Sequence, residues 1–174
     1  MPAAASIAVI LNTSSGTVLG RVAMAAEIVN LFRAAGRDNV EIVALRDGGD
    51  PVGAARDAGT RASVVVAAGG DGTVSSVATG IFQSQAALGV LPLGTLNHFA
   101  RDLRIPFDLA EAVAIVCAGR IGHVDVGQVN DRLFVNNSSI GIYPSIVDAR
   151  EVLRRQGHRK WPAMAIAAAR ILRR

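Results

Sequence analysis

The chain has 174 residues, 51% of them hydrophobic and 18% charged, which predicts a single compact core and excludes a disordered protein. Its one cysteine, Cys117, excludes a disulfide framework within the chain and favours a reducing, cytoplasmic setting. The first residues lack the basic and apolar regions of a signal peptide, and no run of about 18 apolar residues would span a membrane. We therefore expect neither a secreted nor a membrane-spanning protein.

The formal net charge of +4 is unevenly distributed along the chain. Residues 1–149 carry 10 arginines against 13 acidic residues, whereas residues 150–174 carry eight basic residues against one glutamate. A basic segment of this kind can contact anionic lipid headgroups or nucleic acid, or it can be a solvated helical surface. Trp161 is its only possible stacking aromatic and no nucleic-acid recognition motif is present, so we expect no nucleic-acid partner.

Apolar strands alternate with helical segments over most of the chain. Strands are predicted at residues 7–11, 40–45, 64–68 and 88–91, and helices at residues 17–35, 51–58, 73–82 and 109–117. Alternation of this kind is typical of βαβ units, and strands that are apolar on both faces indicate a parallel sheet covered by helices. Residues 1–119 are therefore predicted to form a three-layer α/β/α domain that binds its ligand beyond the carboxyl ends of the strands.

The pattern changes after residue 119. Residues 121–129 and 133–140 are predicted to form an antiparallel hairpin around a turn at Asn130 and Asp131. Helices are predicted at residues 144–156 and 162–172. We interpret residues 120–174 as the beginning of a second, β-type domain that is incomplete. Open strand edges in such a unit would favour a homodimer, and a monomer in light scattering would contradict that expectation.

Three loops rich in glycine, hydroxyl and amide groups follow directly after predicted strands, at residues 12–16, 69–73 and 92–97. Any one of them alone could be an ordinary turn, since turns use the same residue types. Because parallel strands end at one edge of a sheet, we expect the three loops to converge there. Their convergence predicts a ligand site.

The loop at residues 69–73, with the sequence Gly-Gly-Asp-Gly-Thr, carries the clearest chemistry. Glycines allow backbone N–H groups to approach an anion closely, and Thr73 can cap the next helix, whose N-terminus favours negative charge. A carboxylate among such amides would repel a phosphate unless a divalent cation or a transferable proton lies between them. The loop therefore predicts phosphate binding and kinase-type chemistry in which Asp71 takes part.

This loop and the segment 92–103, Pro-Leu-Gly-Thr-Leu-Asn-His-Phe-Ala-Arg-Asp-Leu, resemble the catalytic domain of diacylglycerol kinases and related lipid kinases. The first motif also occurs in NAD kinases, whereas the second is similar to the lipid branch, which includes sphingoid-base kinases and bacterial lipid kinases. Residues 12–16 resemble the asparagine-led phosphate loop of the family, and residues 125–141 resemble its crossing into a second, β-sandwich domain.

The resemblance implies an enzyme that transfers the γ-phosphoryl group of Mg-ATP to a lipid hydroxyl, in a cleft between an α/β nucleotide-binding domain and a β-sandwich domain. It assigns nucleotide binding to residues of the three loops, namely Asn12, Ser15, Gly16, Gly69, Gly70, Gly72, Thr73, Gly94, Thr95 and Asn97. Asp71 is either the carboxylate linked to Mg²⁺ or the base for the lipid hydroxyl. Arg101 holds a phosphate or pairs with Asp102 on a helix surface.

The sequence leaves the acceptor open among diacylglycerol, a sphingoid base and a polyprenol. A cytoplasmic protein of this kind would associate peripherally with the inner face of the membrane, where its lipid substrate lies. The basic residues 150–174 would help that association as an amphipathic surface helix, or they would pack on the rest of the second domain.

Three departures from the family pattern support an alternative, a catalytically silent nucleotide-binding or regulatory module of the same fold. His98 stands where lipid kinases commonly have aspartate, and Ser75 and Ser76 stand where they often have asparagine and glutamate. A further acidic motif of the family's second domain, associated with the catalytic base, lies beyond the end of this sequence. The activity of the chain as it stands is therefore open, and an NAD or other small-molecule kinase is the remaining rival.

Overall fold

The computed structural model describes residues 6–12, 18–129 and 132–135. In this part of the chain the main sheet consists of β1 (Ile7–Leu11), β2 (Val40–Ala44), β3 (Val64–Gly69) and β4 (Ala87–Pro92). The helices are α1 (Val18–Ala34), α2 (Pro51–Gly59), α3 (Asp71–Ile81), α4 (His98–Asp102) and α5 (Leu109–Ala118). A short hairpin of β5 (Gly127–Val129) and β6 (Arg132–Phe134) follows.

The main sheet is parallel throughout, with the strand order β2-β1-β3-β4. Ile7 pairs with Val40 on one side and with Val64 on the other, and Val64 pairs in turn with Ala87. Strands in this register end level with one another, so the loops after β1, β3 and β4 lie side by side at one edge. The predicted α/β class with a parallel sheet is confirmed.

Helices cover both faces of the sheet. Because successive side chains of a strand point to opposite faces, they belong alternately to two separate cores. Odd-numbered residues of β1, such as Leu11, pack with Phe32 of α1 and Val113 of α5. Even-numbered residues of the same strand, such as Ile10, pack with Val77 of α3 and with α2. Every residue of β1 is buried, which accounts for a strand without a single polar side chain.

Capping side chains define where two of the helices begin. Asp50 precedes α2 and accepts a hydrogen bond from the Val52 N–H at 3.0 Å, with Pro51 at the first helical position. Asp108 caps α5 in the same way, through a 3.0 Å bond from the Glu111 N–H, and Gly119 ends that helix with φ at 64°. These caps explain why the predicted bounds of both helices agree closely with the structure.

Two arginine contacts join elements that are distant in sequence. The Arg37 guanidinium donates to the carbonyl oxygen of Cys117 at 2.8 Å, which ties the end of α1 to the end of α5. Burial raises the pKa of the Cys117 thiol, and that side chain is only partly buried. The Arg61 guanidinium donates to both carboxylate oxygens of Glu41, and these hydrogen bonds lower the pKa of Glu41.

The start of α3 and the presence of α4 differ from the sequence prediction. Helix α3 begins at Asp71, two residues before the predicted start, because Gly70 occupies the N-cap position. Thr73 therefore lies in the first turn of the helix, and the prediction that it caps this helix is wrong. Helix α4 has five residues and lies in a stretch that the prediction leaves as a connection.

The hairpin after α5 is shorter than the sequence predicts. Only residues 127–129 and 132–134 pair, whereas residues 121–126 have no regular secondary structure. A strand needs a neighbour for its backbone N–H and C=O groups, and none of the described segments pairs with residues 121–126. The predicted strand residues beyond 135 and the predicted helices at 144–156 and 162–172 lie outside the described residues. Within those that are described, no helix is long and apolar enough to cross a membrane.

Candidate functional site

The loops after β1, β3 and β4 are joined to one another at the carboxyl edge of the sheet. The Asn12 N–H donates to the Ala68 carbonyl oxygen at 2.9 Å, and the Leu93 N–H donates to that of Gly69 at 3.1 Å. The convergence predicted from sequence is therefore present for the first residue of the first loop and for the other two loops. Ser15 and Gly16 lie outside the described residues.

Backbone N–H groups without an acceptor point out of the start of α3. The N–H groups of Thr73 and Val74 both donate to the Gly70 carbonyl oxygen, whereas no protein acceptor in the described part of the chain takes the N–H of Gly70 or Gly72. The first N–H groups of a helix carry partial positive charge and need a partner from outside the helix. An anion such as a phosphate fits this position.

Gly72 is a glycine that the fold itself does not require. A Cβ atom added there would meet nothing within 4 Å, and its φ is not in the left-handed region. In a helix the Cα–Cβ bond tilts toward the N-terminus, so the missing Cβ leaves open the space directly before α3. That space is where an anion bound to the free amides would lie.

Thr73 links the first two loops. Its side chain is 6% exposed, and its Oγ1 accepts a hydrogen bond from Asn12 Nδ2 at 3.1 Å. The same side chain packs against Gly69, where an added Cβ would lie 2.5 Å from Thr73 Oγ1. The hydroxyl therefore orients Asn12 toward α3, in place of the helix cap that the sequence suggests.

Asn97 closes the third loop on itself. Its Oδ1 accepts from the Gly94 N–H at 3.0 Å, and its Nδ2 donates to the carbonyl oxygens of Gly94 and Pro92 at 2.8 and 3.1 Å. The residue is buried and adopts a left-handed backbone with φ at 48°, which asparagine tolerates better than most residues. Every hydrogen bond that the structure gives to this amide stays within the loop, so Asn97 has a structural role beside the predicted contact with nucleotide.

The second and third loops approach each other closely, backbone against backbone. A Cβ atom at Gly94 would lie 2.4 Å from the Cα of Gly70, so this approach is possible only with glycine. Nearby, the Asp71 carboxylate accepts hydrogen bonds from the backbone N–H groups of His98 and Phe99, both at 3.0 Å. Asp71 thus joins the start of α3 to the start of α4.

Two exposed side chains of the third loop and of α4 face solvent near this junction. Thr95 makes no hydrogen bond within the described part of the chain, which leaves its N–H and hydroxyl available to a ligand. The Arg101 guanidinium lies 5.8 Å from the centre of the Phe107 ring, and it makes no ion pair with Asp102, so the predicted structural pair is wrong.

Other polar residues stand at three positions where lipid kinases often have aspartate, asparagine or glutamate. His98 is exposed at the start of α4, and Ser75 and Ser76 are partly buried on α3. No group of three or more His, Cys, Asp or Glu side chains that could hold a metal ion occurs among the residues the structure describes.

Residues 6–129 match the family described as "Diacylglycerol kinase catalytic domain", a range that includes the main sheet, the three loops and helices α1 to α5 of the described structure. The chain belongs to this family. A protein of Staphylococcus saprophyticus named "Diacylglycerol kinase" is 33% identical to it over 135 residues, which are 76% of this chain and 44% of the relative. A protein of Klebsiella pneumoniae named "Probable lipid kinase YegS-like" is 40% identical over 119 residues, 66% of this chain and 40% of the relative.

Solved structures agree with the family assignment. The crystal structure of a diacylglycerol kinase from Bacillus anthracis superposes on this chain with a TM-score of 0.63 and 25% sequence identity. The match covers 75% of this chain and 50% of that one. The chain thus spans half or less of the relatives and of the structure that it matches.

Proposed function

We propose that this diacylglycerol kinase domain binds Mg-ATP at the carboxyl edge of its sheet and serves the transfer of the γ-phosphoryl group to a lipid hydroxyl. The observation that carries the proposal is the pair of free backbone N–H groups at Gly70 and Gly72, at the positive end of α3. Phosphoryl transfer depends mainly on positioning and charge stabilisation, which such amides supply.

The phosphates would be held from two sides. The amides of Gly70 and Gly72 form one side, and the exposed N–H and hydroxyl of Thr95 form the other. Asn12 would support them from the first loop, together with Ser15 and Gly16 as the sequence predicts. Gly69 and Gly94, which the sequence also assigns to the nucleotide, would support the site through close packing, since their missing side chains make room for Thr73 and for Gly70 respectively.

Asp71 is the residue that would hold Mg²⁺ or accept the proton of the lipid hydroxyl. Mg²⁺ in nucleotide sites is held by one or two carboxylates together with phosphates and water, so a single carboxylate fits it. The two Asp71 oxygens accept the N–H groups of His98 and Phe99, and a carboxylate oxygen that accepts a backbone N–H can also bind a cation. The ion would neutralise phosphate charge beside an acid that otherwise repels it.

A lipid surface would be the natural partner of the apolar side chains around α4. Leu96, Leu103 and Phe107 are 58%, 43% and 53% exposed, and Arg101 lies over the Phe107 ring. Exposed apolar side chains beside a cation suit the interface of an anionic membrane. We therefore propose peripheral association at the inner membrane face, with the acceptor lipid drawn from that surface.

Replacing Leu96 and Leu103 together by serine is expected to weaken binding to vesicles of phosphatidylglycerol and phosphatidylcholine by about 5-fold, because apolar area is lost from the contact. Cosedimentation with the vesicles measures this. Ile121→Ser serves as the control, because it removes one apolar side chain that is 73% exposed in the segment after α5, outside α4. Equal loss in the control would count against the α4 surface.

Isothermal titration calorimetry with Mg-ATP tests the nucleotide site directly. We expect saturable binding to the unmodified chain and at least about 10-fold weaker binding to Asp71→Ala, because a charged hydrogen-bonding group is lost. Asp102→Ala removes the same charge from an exposed position on α4 and should bind as the unmodified chain does. No binding to the unmodified chain would remove the nucleotide proposal for this domain.

A catalytically silent nucleotide-binding module is the second candidate. It is favoured by His98, Ser75 and Ser76, which put uncharged or weakly basic groups where related kinases often have acids or an amide. Phosphorylation of diacylglycerol in mixed micelles separates the two candidates once ATP binding is established. Turnover supports the kinase, ATP binding without turnover supports the silent module, and phosphorylation of NAD in its place would favour the NAD kinase branch.

A further inference from the structure

Helix α4 is capped by a side chain from a different element. Its own N-cap residue, Asn97, makes no side-chain bond to the helix, because that amide is engaged within the third loop. The N–H groups of His98 and Phe99 are instead taken by the two oxygens of Asp71, 27 and 28 residues earlier in the chain. A five-residue helix has few bonds of its own, so this external cap holds α4 in place together with the burial of Phe99 and Ala100.

We propose that Asp71 is a positioning residue that fixes Thr95 relative to the free amides of α3, independently of any metal ion or transferred proton. This inference rests on the proposed function, since it assigns to the same nucleotide site a second source of affinity. It adds to the contact that Asp71 would make with Mg²⁺ or a hydroxyl group.

The path from Asp71 to Thr95 is short and continuous. Asp71 holds the first two amides of α4, Asn97 immediately before them is bonded to Gly94, and Thr95 lies between Gly94 and Asn97. The other end of the loop is held where the Leu93 N–H donates to the Gly69 carbonyl oxygen. With both ends fixed to the glycine loop, Thr95 is held in place directly after Gly94, which lies against Gly70.

Electrostatics and positioning predict opposite effects when the charge of Asp71 is removed and no metal ion is present. A carboxylate close to phosphates repels them in the absence of a cation, so loss of the charge alone would strengthen the binding of metal-free ATP. Loss of the cap would weaken the binding of metal-free ATP, because Thr95 would no longer be held in the position that contacts the phosphates. The sign of the change in affinity therefore separates the two roles.

Asp71→Asn is the informative substitution because it keeps the shape of the side chain. Its amide oxygen can still accept one of the two N–H groups, but its NH₂ group faces the other donor and cannot accept it. We expect metal-free ATP, titrated in EDTA, to bind about 10-fold more weakly to this variant. Asp102→Asn makes the same change on the exposed surface of α4 and is expected to leave the affinity unchanged or slightly improved.

Amide hydrogen exchange, followed by NMR on the nucleotide-free protein, supplies the second readout. The His98 and Phe99 amides are expected to exchange at least about 10-fold faster in Asp71→Asn and at the normal rate in Asp102→Asn. Asp71→Glu keeps the charge but adds one methylene group, and it should also accelerate exchange, which provides a second variant if Asp71→Asn folds poorly.

The two readouts keep this inference separate from the kinase proposal. Unchanged exchange at His98 and Phe99, or tighter metal-free ATP binding by Asp71→Asn, would overturn the positioning role even in an active kinase. If the unmodified chain binds no ATP, the proposed function fails, while faster exchange in the variant still supports Asp71 as the cap of α4.

Discussion

Replacing Gly94 by alanine is expected to lower the free energy of unfolding by about 2 kcal/mol and to remove measurable Mg-ATP binding. The added Cβ would lie 2.4 Å from the Cα of Gly70 and 2.6 Å from Oδ1 of Asn97. Backbone cannot give way as a flexible side chain does, so the two loops must separate. Separation would also break the Gly94–Asn97 hydrogen bond and move Thr95 away from the start of α3.

Urea denaturation measures the loss of stability, and calorimetry with Mg-ATP measures the loss of binding. Gly122→Ala is the matched control, because a Cβ at that glycine meets nothing within 4 Å and its φ is outside the left-handed region. The control should match the unmodified chain in both measurements. A Gly94→Ala variant with normal stability and normal affinity would show that the close approach of the two loops is dispensable.

Gly72→Ala is expected to produce the opposite combination, with full stability and about 10- to 100-fold weaker binding of Mg-ATP. Alanine is a better helix former than glycine, so stability should stay the same or rise by up to about 1 kcal/mol. The Cβ meets no protein atom, but it tilts into the space before α3 and keeps a phosphate from the Gly72 amide.

The same pair of measurements tests this second substitution, again with Gly122→Ala as the control. Binding equal to that of the unmodified chain would mean that the phosphates lie elsewhere, and the start of α3 would lose its assigned role. Together the two alanine variants separate a glycine needed for the contact between loops from a glycine needed for the ligand.

Much of the α/β domain could be predicted because its two central strands, β1 and β3, are buried on both faces. Strand β3 is visible in the sequence as an apolar run that a Gly-rich loop ends. Its fully buried residues are Val65, Val66, Ala67 and Ala68. Caps with a local signature, such as Asp50 before Pro51, made helix starts equally predictable. The position of the loops at one edge followed from parallel pairing alone.

Features that depend on backbone groups could not be predicted in the same way. The partners of Asp71 are the N–H groups of His98 and Phe99, and an N–H group is common to almost every residue. The roles of Asn97 and Thr73 depend on loops that first have to meet. An asparagine just before a short helical stretch is a weak signal for the left-handed backbone. It was the one available clue that Asn97 closes the third loop on itself.

The strand predicted at residues 121–129 shows that a suitable composition alone does not form a strand. Ile121 and Val124 have the right composition, but both are exposed and their segment is unpaired in the described structure. Pairing requires a neighbour, and a propensity cannot supply one. Only the last three residues, which meet Arg132–Phe134, form the strand.

The two cores on either side of the sheet have a consequence for the dimensions of the site. Because alternate residues of β1 and β3 belong to different cores, a slip of one residue would turn every side chain to the wrong face. Such a slip would also carry the glycine loop about 3.3 Å along the strand direction. The apolar interior therefore sets the distances between the loops. For this reason, core mutations far from the nucleotide can change the spacing of the groups that would hold it.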